Sequence, residues 1–234
     1  MKELILRLTR SMPRSCAGTL FLFSFLLSGC ALRQPNIGAN ELGIKNIVFI
    51  EPRIEKTKEL KLIRPDWAGF ISADELIAEQ FEINGVLPSW ADKVTVGFSD
   101  SFINLLKTNG YMVTRLTHEE YVSRASSAET AIVVSSFIQP GFVYKTITSK
   151  VYKPYVLVSM SAAVDDRRFL RKQVFVATDR LFNFFMTNLP ASTPYDFPSI
   201  GALRAAPQPA LEALATLSRQ LGKTLASDLL DRNP

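Results

Sequence analysis

Cysteine is almost missing from this chain of 234 residues: Cys16 and Cys30 are the two present, and residues 31–234 hold no thiol. A disulfide scaffold is thereby excluded, and the body of the protein has to be held together by its core. Histidine is scarcer still, with His118 alone. The run His118-Glu119-Glu120-Tyr121 lacks the second histidine that would complete a zinc helix, and the Thr117 to Glu120 spacing is that of a capping box, which accounts for the acids. No Gly-x-Ser-x-Gly elbow and no phosphate loop occur, so neither a local hydrolase signature nor a nucleotide signature is present. Low-complexity sequence is absent as well, and 47% hydrophobic with 21% charged residues describes a globular chain.

A one-signed charge is also lacking, despite a formal net charge of +5. Residues 1–29 carry Lys2, Arg7, Arg10 and Arg14 against Glu3, so 23 of the 27 basic and 21 of the 22 acidic residues remain in the rest of the chain. That balance, with no Lys/Arg stripe interleaved with aromatics, argues against a nucleic-acid partner.

What is present begins at the amino terminus. Residues 1–16 form a positive n-region, and residues 17–27 form an apolar run of 11 residues. At 1.5 Å per residue this run reaches about 17 Å, short of the roughly 30 Å hydrocarbon core, which is signal-peptide length rather than a permanent span. Directly after it stand Leu27-Ser28-Gly29-Cys30. This tetrad resembles the lipobox of bacterial lipoproteins, which implies cleavage between Gly29 and Cys30. It also implies a covalent diacylglycerol on the Cys30 sulfur and an N-acyl chain on its new amine, with no other cofactor. Three acyl chains make a stable anchor, where a single one is marginal. By resemblance to lipoprotein sorting rules, Ala31 in place of the retention Asp implies the outer membrane, periplasmic face.

The expected organisation is a signal peptide at residues 1–29, a flexible Gly/Pro-punctuated tether at 30–43 and a single periplasmic domain at 44–234. Within the domain, residues 47–50 read as a buried strand, and 52–88 read as a charged insertion. A capping box at Ser72 and Glu75 should start a short helix over 73–81 with Leu76, Ile77 and Phe81 on one face, ended by Asn84-Gly85. Ser89 should cap the main helix, in which Trp90, Val94, Gly97, Phe98, Phe102, Leu105 and Leu106 recur at spacings of three and four up to Gly110. A strand at 111–116, a short helix at 121–125 and a strand at 130–138 follow. Strands at 155–164 and 172–181 should form a hairpin through the charged connector 165–168. Five prolines make 188–209 a loop, and Pro209 should open a last helix with Leu211, Leu214, Leu217, Leu221, Leu225 and Leu229 on its apolar face. The fold class expected is α/β (α+β): a single mixed sheet of about four to five strands, a long helix after the first strand and a carboxy-terminal helix packed on one face.

The segments "TNGYMVTRL", "TAIVVSSFI", "YVLVSMSAAV", "KQVFVATDRL" and "LEALATLSRQLGKTLASDLL" occur in that order. Their arrangement resembles the periplasmic α/β domain of the TolB amino-terminal, curli-export and penicillin-binding-protein-activator lipoproteins. It is also similar to auxiliary lipoproteins of ABC-type lipid-transport systems, in which a Trp-Ala pair opens the main helix as Trp90-Ala91 does here. The resemblance implies a domain that is not an enzyme, acting as a binding, assembly or transport-accessory component with envelope protein partners and a membrane partner through its anchor. The alternative of a different class is a lipid-tethered periplasmic hydrolase.

Three features were weighed as sites. His118 reads as part of a helix start, with no metal site. Asp165-Asp166-Arg167-Arg168 reads as a solvated turn rather than a catalytic carboxylate pair. Phe182, Phe184, Phe185 and Met186 read as core by default and, if part of the cluster is exposed, as a partner-binding patch. A pore-forming role is disfavoured by Lys145, Lys150 and Lys153 in the candidate stretch 142–153.

Overall fold

The structure is a computed structural model. It describes residues 38–54, 59–63, 73–87, 89–124, 130–144, 151–165, 167–177, 187–190 and 196–231, which belong to one compact unit, Ile37–Pro234. Gly29 and Cys30, the Ser72 capping box and the cluster Phe182, Phe184, Phe185 and Met186 lie outside the described residues.

The class is α/β, as expected, but among the described residues the sheet has eight strands rather than four to five. A short helix α1 (Ala39–Leu42) leads into β1 (Asn46–Ile50), β2 (Arg53–Ile54) and β3 (Lys61–Ile63). Helices α2 (Ala73–Val86) and α3 (Trp90–Thr108) follow, then β4 (Met112–Leu116) and α4 (His118–Arg124). Three long strands, β5 (Ile132–Tyr144), β6 (Tyr152–Val164) and β7 (Arg167–Ala177), precede β8 (Thr187–Pro190), α5 (Ile200–Ala205) and α6 (Pro207–Leu230). The strand order is β4-β1-β5-β6-β7-β8. The β4, β1 and β5 strands are parallel, β5, β6 and β7 form an antiparallel meander, and β8 adds parallel to β7.

The supposed insertion supplies two of the extra strands. β1, β2 and β3 lie in succession along the same edge of β5, opposite residues 132–134, 137–138 and 141–143 of that strand. Gly141 admits β3, because a Cβ there would stand 2.0 Å from the Lys61 carbonyl oxygen and 2.7 Å from the Tyr155 ring. α2 outruns the expected stop at Asn84-Gly85 and ends at Val86.

The two long amphipathic helices behave as their spacing demands. Trp90, Val94, Phe98, Phe102 and Leu106 of α3 are buried, as are all six leucines of the α6 stripe. Phe49 of β1 packs between Phe98 and Phe102, with ring centroids 6.4 and 5.2 Å away. α3 and α6 approach closely because Gly97 faces the Ala215 carbonyl and Gly222 faces the Phe98 carbonyl. Helix packing at this range needs residues without side chains at the crossing. Ser89 occupies the cap position of α3 but makes no capping bond. At the other end, Gly110 takes φ +80° and releases the chain into β4.

Two loop assignments are corrected. The tether expected to run to residue 43 contains α1, whose Ala39 is buried and whose Asn40 amide donates to the Leu230 carbonyl at 2.9 Å. That bond satisfies a carbonyl left open at the end of α6, so the folded body starts near Gly38 rather than Ile44. The proline-rich stretch 188–209 is not a bare loop. It holds the last three residues of β8 and then α5, where Ser199 accepts a capping bond from the Ala202 amide at 3.0 Å. Prolines end and start these elements instead of abolishing them. α6 opens at Pro207, two residues before the expected Pro209, at the helical position where a missing N–H costs nothing.

The hairpin is tighter than expected: β6 and β7 run up to a Val164–Arg167 pair, and Asp165 begins the turn. Asp165 adopts φ +46°, a left-handed conformation that Asp tolerates better than most residues other than Gly.

Candidate functional site

At the carboxy-terminal ends of β1 and β4 the parallel pairing brings together residues 65 positions apart. The Glu51 amide donates to the Leu116 carbonyl at 2.8 Å, which aligns the exits of the two strands. Arg115 then bonds Glu51 at 3.0 Å and lies 3.6 Å from Asp100 of α3. Arg53 places its guanidinium 2.6 Å from Nδ1 and 2.7 Å from Nε2 of His118. The guanidinium and the imidazole are thus in polar contact, with the accepting nitrogen set by the ring tautomer.

The capping box next to it is formed as expected. The Thr117 amide donates to the Glu120 carboxylate at 2.8 Å, and the Glu120 amide donates to the Thr117 hydroxyl oxygen at 3.2 Å. The bond from the Thr117 backbone, aided by that of its side chain, holds the Glu120 carboxyl below the usual carboxylate range. α4 starts at His118 rather than 121, because the box fixes Thr117 as the cap. Among the described residues, no group of three His, Cys, Asp or Glu side chains could hold a metal ion.

The end of the sheet next to α1 is organised by Tyr111. Its hydroxyl donates to the Asn40 side-chain oxygen at 2.7 Å, and Lys45 sits over its ring at 4.3 Å. Burial pushes the Tyr111 phenol up from its ordinary range. This contact, with the Asn40 bond to Leu230, ties α1 to the start of β4 and the end of α6.

At the far end of the sheet, polar contacts with no signature in the sequence gather around α2 and β6. Lys153 is buried on β6 and pairs with Asp196 at 3.1 Å. The Tyr152 hydroxyl donates to Glu79 of α2 at 3.0 Å, and Glu82 of α2 pairs with Arg204 of α5. Asn84 binds the backbone of Leu60 on both sides, accepting from its N–H at 2.7 Å and donating to its carbonyl at 3.1 Å, while Gln80 accepts from the Leu62 amide at 3.3 Å. These side chains cover the β3 edge.

Of the face expected at Leu76, Ile77 and Phe81, the Leu76 side chain lies outside the described residues and the other two do not pack inward. Ile77 is 66% exposed and Phe81 is 82% exposed, whereas Ile83 and Leu87 are buried. The polar residues won the inward position because the edge of β3 has unpaired N–H and C=O groups that need partners.

No protein-family model and no curated protein matches the sequence. Among solved structures, the chain is similar to the crystal structure of protein XCC0632 from Xanthomonas campestris, family DUF330. That match has 9% sequence identity and a TM-score of 0.35, and it covers 84% of this chain and 89% of the other.

Proposed function

We propose that the chain is a lipid-anchored protein of the bacterial envelope. In this reading it matures at Cys30, is held on the periplasmic face of the outer membrane, and acts as a non-catalytic binding, assembly or transport-accessory component. The observation that carries the reading is Leu27-Ser28-Gly29-Cys30 directly after an apolar run of 11 residues, in a chain with no thiol beyond residue 30.

The start of the folded body supports it. Seven residues lie between Cys30 and Gly38, and the eight Cα–Cα steps span at most about 28 Å, so lipid on Cys30 would hold the α1 end of the domain close to a bilayer. Among the described residues no helix is long and apolar enough to cross a membrane.

Replacing Cys30 with Ser tests the reading. The wild-type protein is expected to sediment with outer-membrane vesicles, and intact-mass measurement should show a chain starting at residue 30 with the added mass of a diacylglycerol and an acyl group. The Cys30→Ser protein should lose that modification and the sedimentation. A variant that still fractionates with membranes, or a wild-type chain without acyl mass, would refute the anchor.

A further inference from the structure

Side chains alternate across the central strands. On one face Val134, Ile138, Val158 and Met160 are buried, and Lys172 of β7 reaches Asp228 of α6. On the other face Ser135, Phe137, Arg171 and Gln173 are exposed. Register aligns this open face in rows: Ser135, Ser161 and Arg171 in one, Arg53, Phe137, Ser159 and Gln173 in the next.

Charge in the sheet has a single sign. No described strand contains Asp or Glu, whereas β2, β3, β4, β6 and β7 contain Lys or Arg. Several of these cations are matched by acids from elsewhere: Arg115 by Glu51, Lys153 by Asp196, Lys172 by Asp228, and Lys61 by Glu59 at 3.9 Å. Arg53, Arg171 and Arg168, the last opposite Ala163 on the same face, are exposed and meet no carboxylate among the described residues. Arg53 touches the His118 imidazole alone, which offers no opposite charge. We propose that the open face of the sheet binds an acidic, extended segment of a partner protein, whose carboxylates are held by Arg53 and Arg171 on either side of Phe137. This names the partner chemistry for the binding-component reading on which it rests, and the anchor plays no part in it.

Three observations select that occupant. The cations left without acids on this face are arginines, and a guanidinium fork grips a carboxylate through two parallel bonds, where an anionic headgroup layer calls only for positive charge. The floor between them is polar, with the Ser135 and Ser161 hydroxyls 2.9 Å apart and Gln173 exposed beside them. Hydroxyls and amides pair with the main-chain N–H and C=O groups of a peptide. Phe137, 36% exposed, is a single ring among them, which gives neither the row of stacking platforms that a single-stranded nucleic acid uses nor the apolar face that an interfacial surface inserts into lipid. The span fits as well. β2, β5, β6 and β7 are successive neighbours, so Arg53 and Arg171 stand about 14 Å apart across the sheet at about 4.8 Å per strand, the length of roughly four extended residues.

The test uses the full-length chain carrying Cys30→Ser, so that no acyl group takes part, with fluorescein-labelled octaglutamate as the probe. Anisotropy at low salt is expected to show binding of this peptide. Arg53→Gln and Arg171→Gln should each weaken it about tenfold, whereas Lys107→Gln, the same change of charge at an exposed site on α3, should alter it by less than about twofold. Arg171→Lys keeps the charge without the fork and should bind several-fold more weakly than the parent. All four variants should melt with the parent, since each side chain is exposed. Arg53 and Arg171 belong to different strands, so a folding defect in one variant leaves the other to decide.

No binding of octaglutamate, an equal loss in Lys107→Gln, or full affinity in Arg171→Lys would each overturn the proposal. So would tighter binding of phosphatidylglycerol vesicles or of oligothymidylate than of the peptide, lost in the same arginine variants, which would assign the face to lipid or to nucleic acid. Failure here leaves the Cys30 anchor standing, because neither the probe nor the protein is acylated, and a wild-type chain without acyl mass refutes the anchor while leaving this face intact.

Discussion

Gly222 and Gly85 show how one residue type does opposite work in two helices. In α6, a Cβ at 222 would stand 2.5 Å from the Phe98 carbonyl oxygen and 3.1 Å from the Phe102 amide, both of them backbone. Backbone cannot swing aside as a flexible side chain does, so Gly222→Ala has to push α3 away from α6 and loosen the Phe49, Phe98 and Phe102 cluster. Overpacking of this kind costs about 1–3 kcal/mol. At Gly85 in α2 a Cβ would meet nothing within 4 Å. There the substitution only removes backbone freedom from the unfolded chain, and Gly85→Ala should stabilise by roughly 0.5–1 kcal/mol. Urea unfolding of the two variants checks the pair. A Gly222→Ala protein as stable as the wild type would show that the helices are not in close contact.

The same physics explains which elements the sequence revealed. α3 and α6 are long enough for a 3.6-residue period to emerge above noise, and their apolar positions are buried one after another. β2 and β3 have two and three residues and open on the charged Arg53 and Lys61, and no periodicity exists at that length. Their strand character comes from β5, more than 75 residues downstream, through backbone pairing that composition does not encode. α2 misled for a related reason. The spacing puts Leu76, Ile77 and Phe81 on one face but does not say which way it turns, and the open edge of β3, with its demand for hydrogen-bonding groups, leaves Ile77 and Phe81 outside. The capping box at Thr117 and Glu120 was legible because its contacts are local, whereas the pairing of Lys153 with Asp196 was not.

Asn84 is therefore the hinge of the β3 assembly. Asn84→Ala removes its bonds to Leu60 and leaves the Leu60 amide without its side-chain acceptor, at a cost of about 1–3 kcal/mol that the better helix propensity of Ala offsets by several tenths. A net loss of about 1–2 kcal/mol in urea unfolding is expected, with faster hydrogen exchange at the Leu60 and Leu62 amides. Ile77→Ala on the outer side of the same helix should change stability by no more than about 0.5 kcal/mol. If the two substitutions cost the same, the orientation of α2 described here is wrong.

For the whole molecule, stability has to be supplied by one continuous core that runs from Ala39 of α1 through Phe49, Phe98 and Phe102 to Leu229 of α6. No covalent cross-link assists it, since residues 31–234 contain no cysteine. Under the anchoring reading, Cys16 is removed with the leader and the Cys30 sulfur is held in a thioether, so the mature chain has no thiol to oxidise, reduce or shuffle. The expected outcome is quantitative. Protein extracted from membranes and unfolded in denaturant should give no reaction with a thiol reagent, and its urea midpoint should be the same with and without a strong reductant. One reactive thiol per chain would mean that Cys30 is unmodified. A midpoint that falls in reductant would mean a disulfide between chains, because residues 31–234 can supply no partner within one. Either result would break the link between the lipobox and the way this domain is held.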